Sequence, residues 1–378
     1  MAEADSNFIS GSWMLFVFGI VLIIVSYAVP WPTISKGLLT LGVPLLGFLP
    51  LQPFRSLRYK MKVFKDCWKE KSIYSPFNCS KKIKEVNRKK KLPIFIVVDI
   101  EGCITPPDRT EIDLQKFQRL RCYCEYVRKS NERKFPPLVI CTGRSQGYVE
   151  LLAQSLGMVD GGNMDLPFVI ENGSALYYPV SKKTTLLLTS NQMELIQKVQ
   201  RVLTDKLCEN EFEPKAYMIT INPIINSTTS EKIDMLRRKV ESIITNKDTI
   251  DTEFDGADVS EELAIETTDS AVDITPNGIN KISGLEETLK IYHNLCPEDI
   301  GKGFGQHVVA IVDSTSDLCI IEKVGDGNAG GVYCSNEDAN KEVKKHIAEK
   351  FSNENIMESR QIDLIMEVIE RETGLGLT

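Results

Sequence analysis

Residues 97–105, VVDIEGCIT, restrict this chain more than any other stretch. An apolar run without polar alternation is the pattern of a strand buried on both faces, as in a parallel sheet covered by helices. It ends in two carboxylates, Asp99 and Glu101, and then breaks at Gly102. In open α/β sheets ligands bind in the crevice outside the carboxyl ends of the strands, so both acids are expected there. A carboxylate nucleophile beside a second acid, with backbone amides following, suits phosphoryl transfer through an aspartyl-phosphate.

The residues that follow support an α/β fold. Apolar positions at helical spacing (Leu114, Phe117, Leu120, Tyr123, Val127) predict a helix over 112–129, and the paired prolines Pro136 and Pro137 introduce a strand at 138–141. A helix at 145–156 and strands at 168–171, 308–312 and 331–334 continue a doubly wound, Rossmann-like parallel sheet. Residues 177–271 differ: helices at 191–207 and 229–245 alternate with strands at 184–188 and 217–221, and an acidic loop carries Asp255, Asp258, Glu261 and Glu262. This reads as an α+β module inserted into the sheet domain, whose two parts are 92–176 and 272–378.

The amino-terminal part has another character. Residues 12–29 are an uncharged apolar run long enough for a transmembrane helix, and the acidic Glu3 and Asp5 before it do not fit a signal peptide. A second apolar segment, 37–51, contains Pro44 and Pro50 and is read as a short span, a re-entrant piece or an interfacial segment. Residues 1–60 thus form an expected membrane anchor, and the lysine-rich 61–91 a basic linker. The basic flank Arg55, Arg58, Lys60, Lys62 and Lys65 places the following domain on the cytoplasmic side by the positive-inside rule. A net charge of -7 excludes general nucleic-acid binding. Ten irregularly spaced cysteines do not make a secreted disulfide framework, and three dispersed histidines do not make a zinc site.

Four further signals fall at predicted strand ends. In ICTGRS, Thr142 and Gly143 precede a helix, which offers either a phosphate-binding turn or a cap built on Ser145. In IENGSALYY, Asn172 and Gly173 form either a ligand contact or a tight turn. VDITPNGINK brings Lys281 to a helix start, where the macrodipole opposes its charge and a negative partner is expected. VVAIVDSTSD ends a buried strand in Asp313, with Asp317 one helical turn on. Carboxylates gathered at strand tips repel unless a cation intervenes, and oxygen ligands alone suit Mg²⁺.

With these motifs in this order, residues 93–340 resemble the haloacid dehalogenase superfamily. TGRS, ENGSALYYP and ITPNGINK resemble the branch whose large α+β cap lies between the second and third motifs, with Cof-type, sucrose- and mannosyl-3-phosphoglycerate phosphatases and phosphomannomutase. The resemblance makes the inserted module a cap and implies that Asp99 attacks phosphorus while Glu101 is general acid and base. It implies that Thr142 and Lys281 hold the phosphoryl group, and that Gly143, Arg144 and Asn172 line the substrate side. Mg²⁺ would be bound by Asp99, the Glu101 carbonyl and Asp313, with Asp317 as ligand or neighbour. The family's DxDGT is DIEGC here, and Val312 and Ser316 replace its usual glycine and asparagine. The expectation is a membrane-anchored, Mg²⁺-dependent phosphatase of a small phosphorylated metabolite. A phosphomutase, or a binding or scaffold protein with impaired turnover, are the alternatives.

Overall fold

The structure is a computed structural model describing residues 84–85, 93–107, 111–129, 135–159, 165–223, 230–254, 256, 258–295, 308–326 and 331–376. The chain divides into two compact units, Met1–Ser75 and Pro76–Thr378. The first unit, with the expected segments 12–29 and 37–51, lies outside the described residues. Among the described residues no helix is long and apolar enough to cross a membrane.

After a two-residue strand at Lys84–Glu85, the second unit runs through Phe95–Val98 (β1), Leu114–Lys129 (α1), Leu138–Ile140 (β2), Gln146–Ser155 (α2) and Phe168–Ile170 (β3). Ala175–Tyr178 (β4) and Lys183–Leu186 (β5) form a meander with β3. Ser190–Lys206 (α3), Glu211–Phe212 (β6), Ile219–Asn222 (β7), Ser230–Ile244 (α4), Lys247–Glu253 (α5), Leu263–Thr267 (β8) and Val272–Pro276 (β9) build the cap. The chain then returns through Lys281–Leu295 (α6), Val308–Ile311 (β10), Leu318–Gly325 (α7), Gly331–Ser335 (β11), Lys341–Lys350 (α8), Ile356–Met357 (β12) and Gln361–Thr373 (α9).

The core sheet has the order β12-β11-β10-β1-β2, and every pair in it is parallel. Each residue of β1, β2 and β10 is buried, as expected for strands covered on both faces. Register aligns Val98 with Ile311 on one side and Ile140 on the other, so the residues beyond these strand ends converge. A single parallel bridge, Cys141 to Val169, joins β3 to β2.

The cap is a four-stranded antiparallel sheet, β6-β7-β9-β8, with its own hydrophobic core. Ile233, Leu236, Val240 and Ile244 recur at helical spacing along α4, and Ile196, Val199 and Leu203 do so along α3. Thr189 and Gln192 start α3 with a reciprocal capping box.

Several boundaries differ from expectation. The strand expected at 184–188 is β5, and it pairs with β4 instead of entering the cap sheet; in exchange, Val272–Pro276 is an inner cap strand. The module expected at 177–271 therefore shifts toward the carboxyl terminus at both ends, because a short apolar strand carries no mark of the sheet it joins. Within the expected linker 61–91, Lys84 and Glu85 pair antiparallel with Gly376 and Leu375. A backbone ladder this short leaves no periodic pattern to read.

Candidate active site

Asp99 follows β1 and is 7% exposed. Its Oδ1 accepts from the Ile100 amide at 2.6 Å, and its Oδ2 accepts from Lys281 Nζ at 2.7 Å. Lys281, the first residue of α6, also donates to Asp317 Oδ1 at 2.7 Å and to Ser316 Oγ at 3.2 Å. Asn280 caps this helix, its Oδ1 accepting from the amides of Ile282 and Ser283, which leaves the lysine free to turn inward. Burial works against the Lys281 charge, but the Asp317 and Asp99 carboxylates outweigh it and hold the ammonium well above the usual lysine range.

Asp313 and Asp317 come from the turn after β10. Asp317 is fully buried, and its Oδ2 accepts long bonds, 3.4 Å each, from the amides of Asp313 and Ser314. Asp99, Asp313 and Asp317 each offer an oxygen within 4.8 Å of the others. Burial, followed by Asp99 and Asp317, pushes the Asp313 carboxyl well above the usual carboxylate range. Burial also raises Asp317, with Lys281 opposing. Three carboxyl groups thus gather near one ammonium, which bonds two of them.

A divalent cation fits this imbalance. Among the described residues no nitrogen or oxygen donor reaches the Asp313 carboxylate; only the Cys103 thiol stands 4.0 Å away. A buried carboxylate without a donor is costly unless a cation takes that place, and an all-oxygen donor set suits Mg²⁺. Gly102 permits the close approach: its φ is +69°, and a Cβ there would lie 2.1 Å from Asp313 Oδ2. Burial raises the Cys103 thiol, which donates to the Ile311 carbonyl at 3.5 Å. The thiol therefore fills the family's hydroxyl position as a packed neutral group.

The Glu101 side chain lies outside the carboxylate group. Arg144 binds its Oε1 through both Nε and Nη2. Arg144 follows Thr142 and Gly143 at the tip of β2, and its amide donates to Thr142 Oγ1 at 3.2 Å. Thr142 is fully buried, with the Cys141 amide bonded to the Val98 carbonyl, so this turn sits directly beside Asp99. Ser145 occupies the N-cap position of α2, but its side chain makes no capping bond. Gly143 faces Asn172: a Cβ on the glycine would meet Asn172 Oδ1 at 2.9 Å.

Asn172 joins the cap to the core. Glu171 and Asn172 both have positive φ, 47° and 52°, a backbone form that non-glycine residues rarely adopt. The bend sends Asn172 Nδ2 to Asp273 Oδ2 on β9 at 3.0 Å. It also sends the Glu171 carboxylate to the amides of Ala216 (3.1 Å) and Tyr217 (2.6 Å) in the cap loop. Gly173 lets the chain pass α6, since a Cβ there would lie 1.9 Å from the Asn280 carbonyl.

A cavity of about 340 Å³ lies between these elements, with Lys281, Ser316 and Asn172 contributed by the core and Arg237, Glu266 and Asp273 by the cap. Glu266 is directly opposite Asp273 in the cap sheet. The residues read from motifs therefore assemble in two groups: Asp99, Lys281, Asp313 and Asp317 in one, and Glu101, Thr142, Gly143, Arg144 and Asn172 around its rim. Glu171, Glu266 and Asp273 went unrecognised, as did Glu213, whose Oε2 lies 3.5 Å from Arg144 Nη1 and 3.4 Å from Lys215 Nζ. Glu171 lay inside a motif already noted, while the cap residues have no spacing rule that points to them.

The model of the haloacid dehalogenase-like hydrolases matches residues 96–356. No curated protein matches the chain. Among solved structures, a putative HAD/COF-like hydrolase from Plasmodium vivax is similar at 12% identity, with a TM-score of 0.49, covering 76% of this chain and 97% of that one. Sucrose-phosphatase from Synechocystis sp. is similar at 15% identity (TM-score 0.45; 75% and 98% covered). The carboxy-terminal domain of Candida albicans trehalose-6-phosphate phosphatase is similar at 15% identity (TM-score 0.46; 75% and 92% covered).

Proposed function

The chain belongs to the haloacid dehalogenase-like hydrolase family, and from that premise we propose that it hydrolyses a small phosphate monoester through a phosphoryl group carried on Asp99. One observation supports this most: a buried lysine, Lys281, bonded to Asp99 and Asp317 at the mouth of a parallel sheet, with a third carboxylate, Asp313, that no nitrogen or oxygen donor reaches among the described residues.

Phosphoryl transfer passes through a loose anionic transition state, so catalysis consists of positioning and charge neutralisation. Asp99 displaces the alcohol from phosphorus while Glu101 gives a proton to the leaving oxygen. Glu101 then takes a proton from water, which displaces phosphate from Asp99. The balance is ester and water consumed, alcohol and phosphate produced. Lys281 offsets the charge on Asp99 and on the phosphoryl oxygens, and the Thr142 hydroxyl stands ready to donate to them. Mg²⁺ held by Asp99, Asp313 and Asp317 would add positive charge at the same oxygens. The cap, facing the cavity with Arg237, Glu266 and Asp273, contacts the alcohol portion.

Purified protein with Mg²⁺, screened against sugar phosphates and phosphoglycerates, is expected to release phosphate, and Asp99→Asn to abolish that release. Activity surviving in Asp99→Asn would overturn the reading. We also propose that residues 12–29 tether this domain to a membrane on its cytoplasmic face, on the strength of the uncharged run and the basic residues after it. Resistance of the full chain to alkaline extraction from membranes, lost on deleting residues 1–60, tests this.

A further inference from the structure

We propose that Glu213 is a positioning residue for Glu101, acting through Arg144, so that the docked cap sets the geometry of the group that moves the proton. The inference rests on the reading of Glu101 given above.

Glutamate is one methylene longer than the family's aspartate and has one more torsion to order. Arg144 orders it. Both guanidinium contacts go to Oε1, and among the described residues no protein donor reaches Oε2, which leaves one oxygen for proton transfer. The Arg144 guanidinium is located in turn by the Tyr148 ring, 5.6 Å from its centroid, and by Glu213 Oε2 at 3.5 Å. Tyr148 belongs to the core, whereas Glu213 belongs to the cap.

Glu213 is itself fixed to the cap sheet. Its amide donates to the Thr220 carbonyl at 3.0 Å, its Oε1 accepts from Asn222 Nδ2 at 3.2 Å, and its Oε2 lies 3.4 Å from Lys215 Nζ. The sheet is pinned to the core nearby, where Asn172 meets Asp273 and the Glu171 carboxylate takes the Ala216 and Tyr217 amides. A movement of the cap thus displaces Glu213, then the guanidinium, then Glu101. The Arg144–Glu213 contact is long and partly open to solvent, so it adds little to stability. A contact of that kind can steer a charged side chain without holding the fold together.

The test compares the full chain with Glu213→Gln on two phosphates. Glucose 6-phosphate has an alkoxide leaving group that needs a proton; p-nitrophenyl phosphate releases a phenolate that does not. Misplacing a general acid forfeits part of its 10²–10⁴ effect, so Glu213→Gln is expected to lower kcat on glucose 6-phosphate by about tenfold, with KM moved by less than about threefold. Single-turnover nitrophenolate release is to stay within about twofold, because that step needs no proton donor. In a Glu101→Asp background, whose acid is one methylene shorter and is expected to fall short of Arg144, Glu213→Gln is to have no further effect. Equal losses on both phosphates, or a full loss in the Glu101→Asp background, would mean general cap damage and overturn the proposal. A second readout is independent of turnover: the Arg144 Nε–H resonance is to lose exchange protection in Glu213→Gln. If wild type releases phosphate from neither ester, this resonance alone decides, an unchanged signal overturning the role of Glu213, and the proposed function falls only if the wider screen of phosphates also releases none.

Discussion

The Lys281 ammonium bonds Asp99 at 2.7 Å and so joins residues 182 positions apart in the chain. The same nitrogen bonds Asp317 at 2.7 Å, and all three residues are buried. It is the protein's own cation for a carboxylate group that would otherwise repel itself. Lys281→Met removes it and leaves Asp99, Asp313 and Asp317 to each other. Breaking one partner of a buried ion pair costs about 3–5 kcal/mol, so the urea midpoint in chelator should fall by a corresponding amount. An unchanged midpoint would show that the carboxylates are neutralised in some other way.

Mg²⁺ is expected to stabilise the folded chain, because among the described residues the Asp313 carboxylate has only the Cys103 thiol, 4.0 Å away, as a hydrogen-bond partner. At a concentration of 100 times its Kd, a ligand that binds only the folded state adds about 2.7 kcal/mol. Melting curves with increasing Mg²⁺ should rise accordingly, and Asp313→Asn should remove most of that response while the protein still folds. A response of full size in Asp313→Asn would place the cation elsewhere.

Glu171 is expected to make stability depend on pH. Burial raises its carboxyl above the ordinary value of 4.5, although the Tyr217 and Ala216 amides offset part of that. A carboxyl raised in the folded state binds its proton more tightly there than in the unfolded chain. Its contribution is therefore most favourable below 4.5 and declines as pH rises from 4.5 through the raised value. Glu171→Gln has no such proton, so the stability of wild type minus that of Glu171→Gln should fall with rising pH across that window. Urea titrations at successive pH values measure it; a difference that rises with pH would contradict the assignment.

At Asn172 two effects can be separated. Asn172→Ala loses the bond to Asp273 and also forces alanine into a positive-φ backbone, whereas Asn172→Gly loses only the bond. The left-handed form costs a non-glycine residue about 1–2 kcal/mol, so glycine should be the milder change by about 1 kcal/mol. Equal losses in chemical denaturation would show that the backbone has relaxed in the alanine variant.

Most of the cluster of Asp99, Lys281, Asp313 and Asp317 was legible in the sequence because each member stands at a strand end or helix start with local signs. β1 and β10 are apolar runs ending in Asp99 and Asp313, and Lys281 follows a turn motif that opens a helix. The unfavourable placement of Lys281 against the helix dipole already called for a negative partner, and Asp99 and Asp317 supply it. The cap boundaries were less legible. Lys183–Leu186 and Val272–Pro276 are both short strands beside turns, and only their hydrogen-bonded neighbours assign one to the core meander and the other to the cap sheet.

The sequence by itself determined the α/β class, the order of the motifs and the acids and lysine available for phosphoryl chemistry, since burial on both faces and strand-end polarity are properties of consecutive residues. Only the tertiary structure decided that Glu101 turns to Arg144 instead of joining Asp99, Asp313 and Asp317, and that Glu171, Asn172 and Glu213 tie the cap to the site. Those contacts join side chains to groups on distant segments. Their partners are set by register and by the docking of two separately cored sheets, which no local pattern encodes.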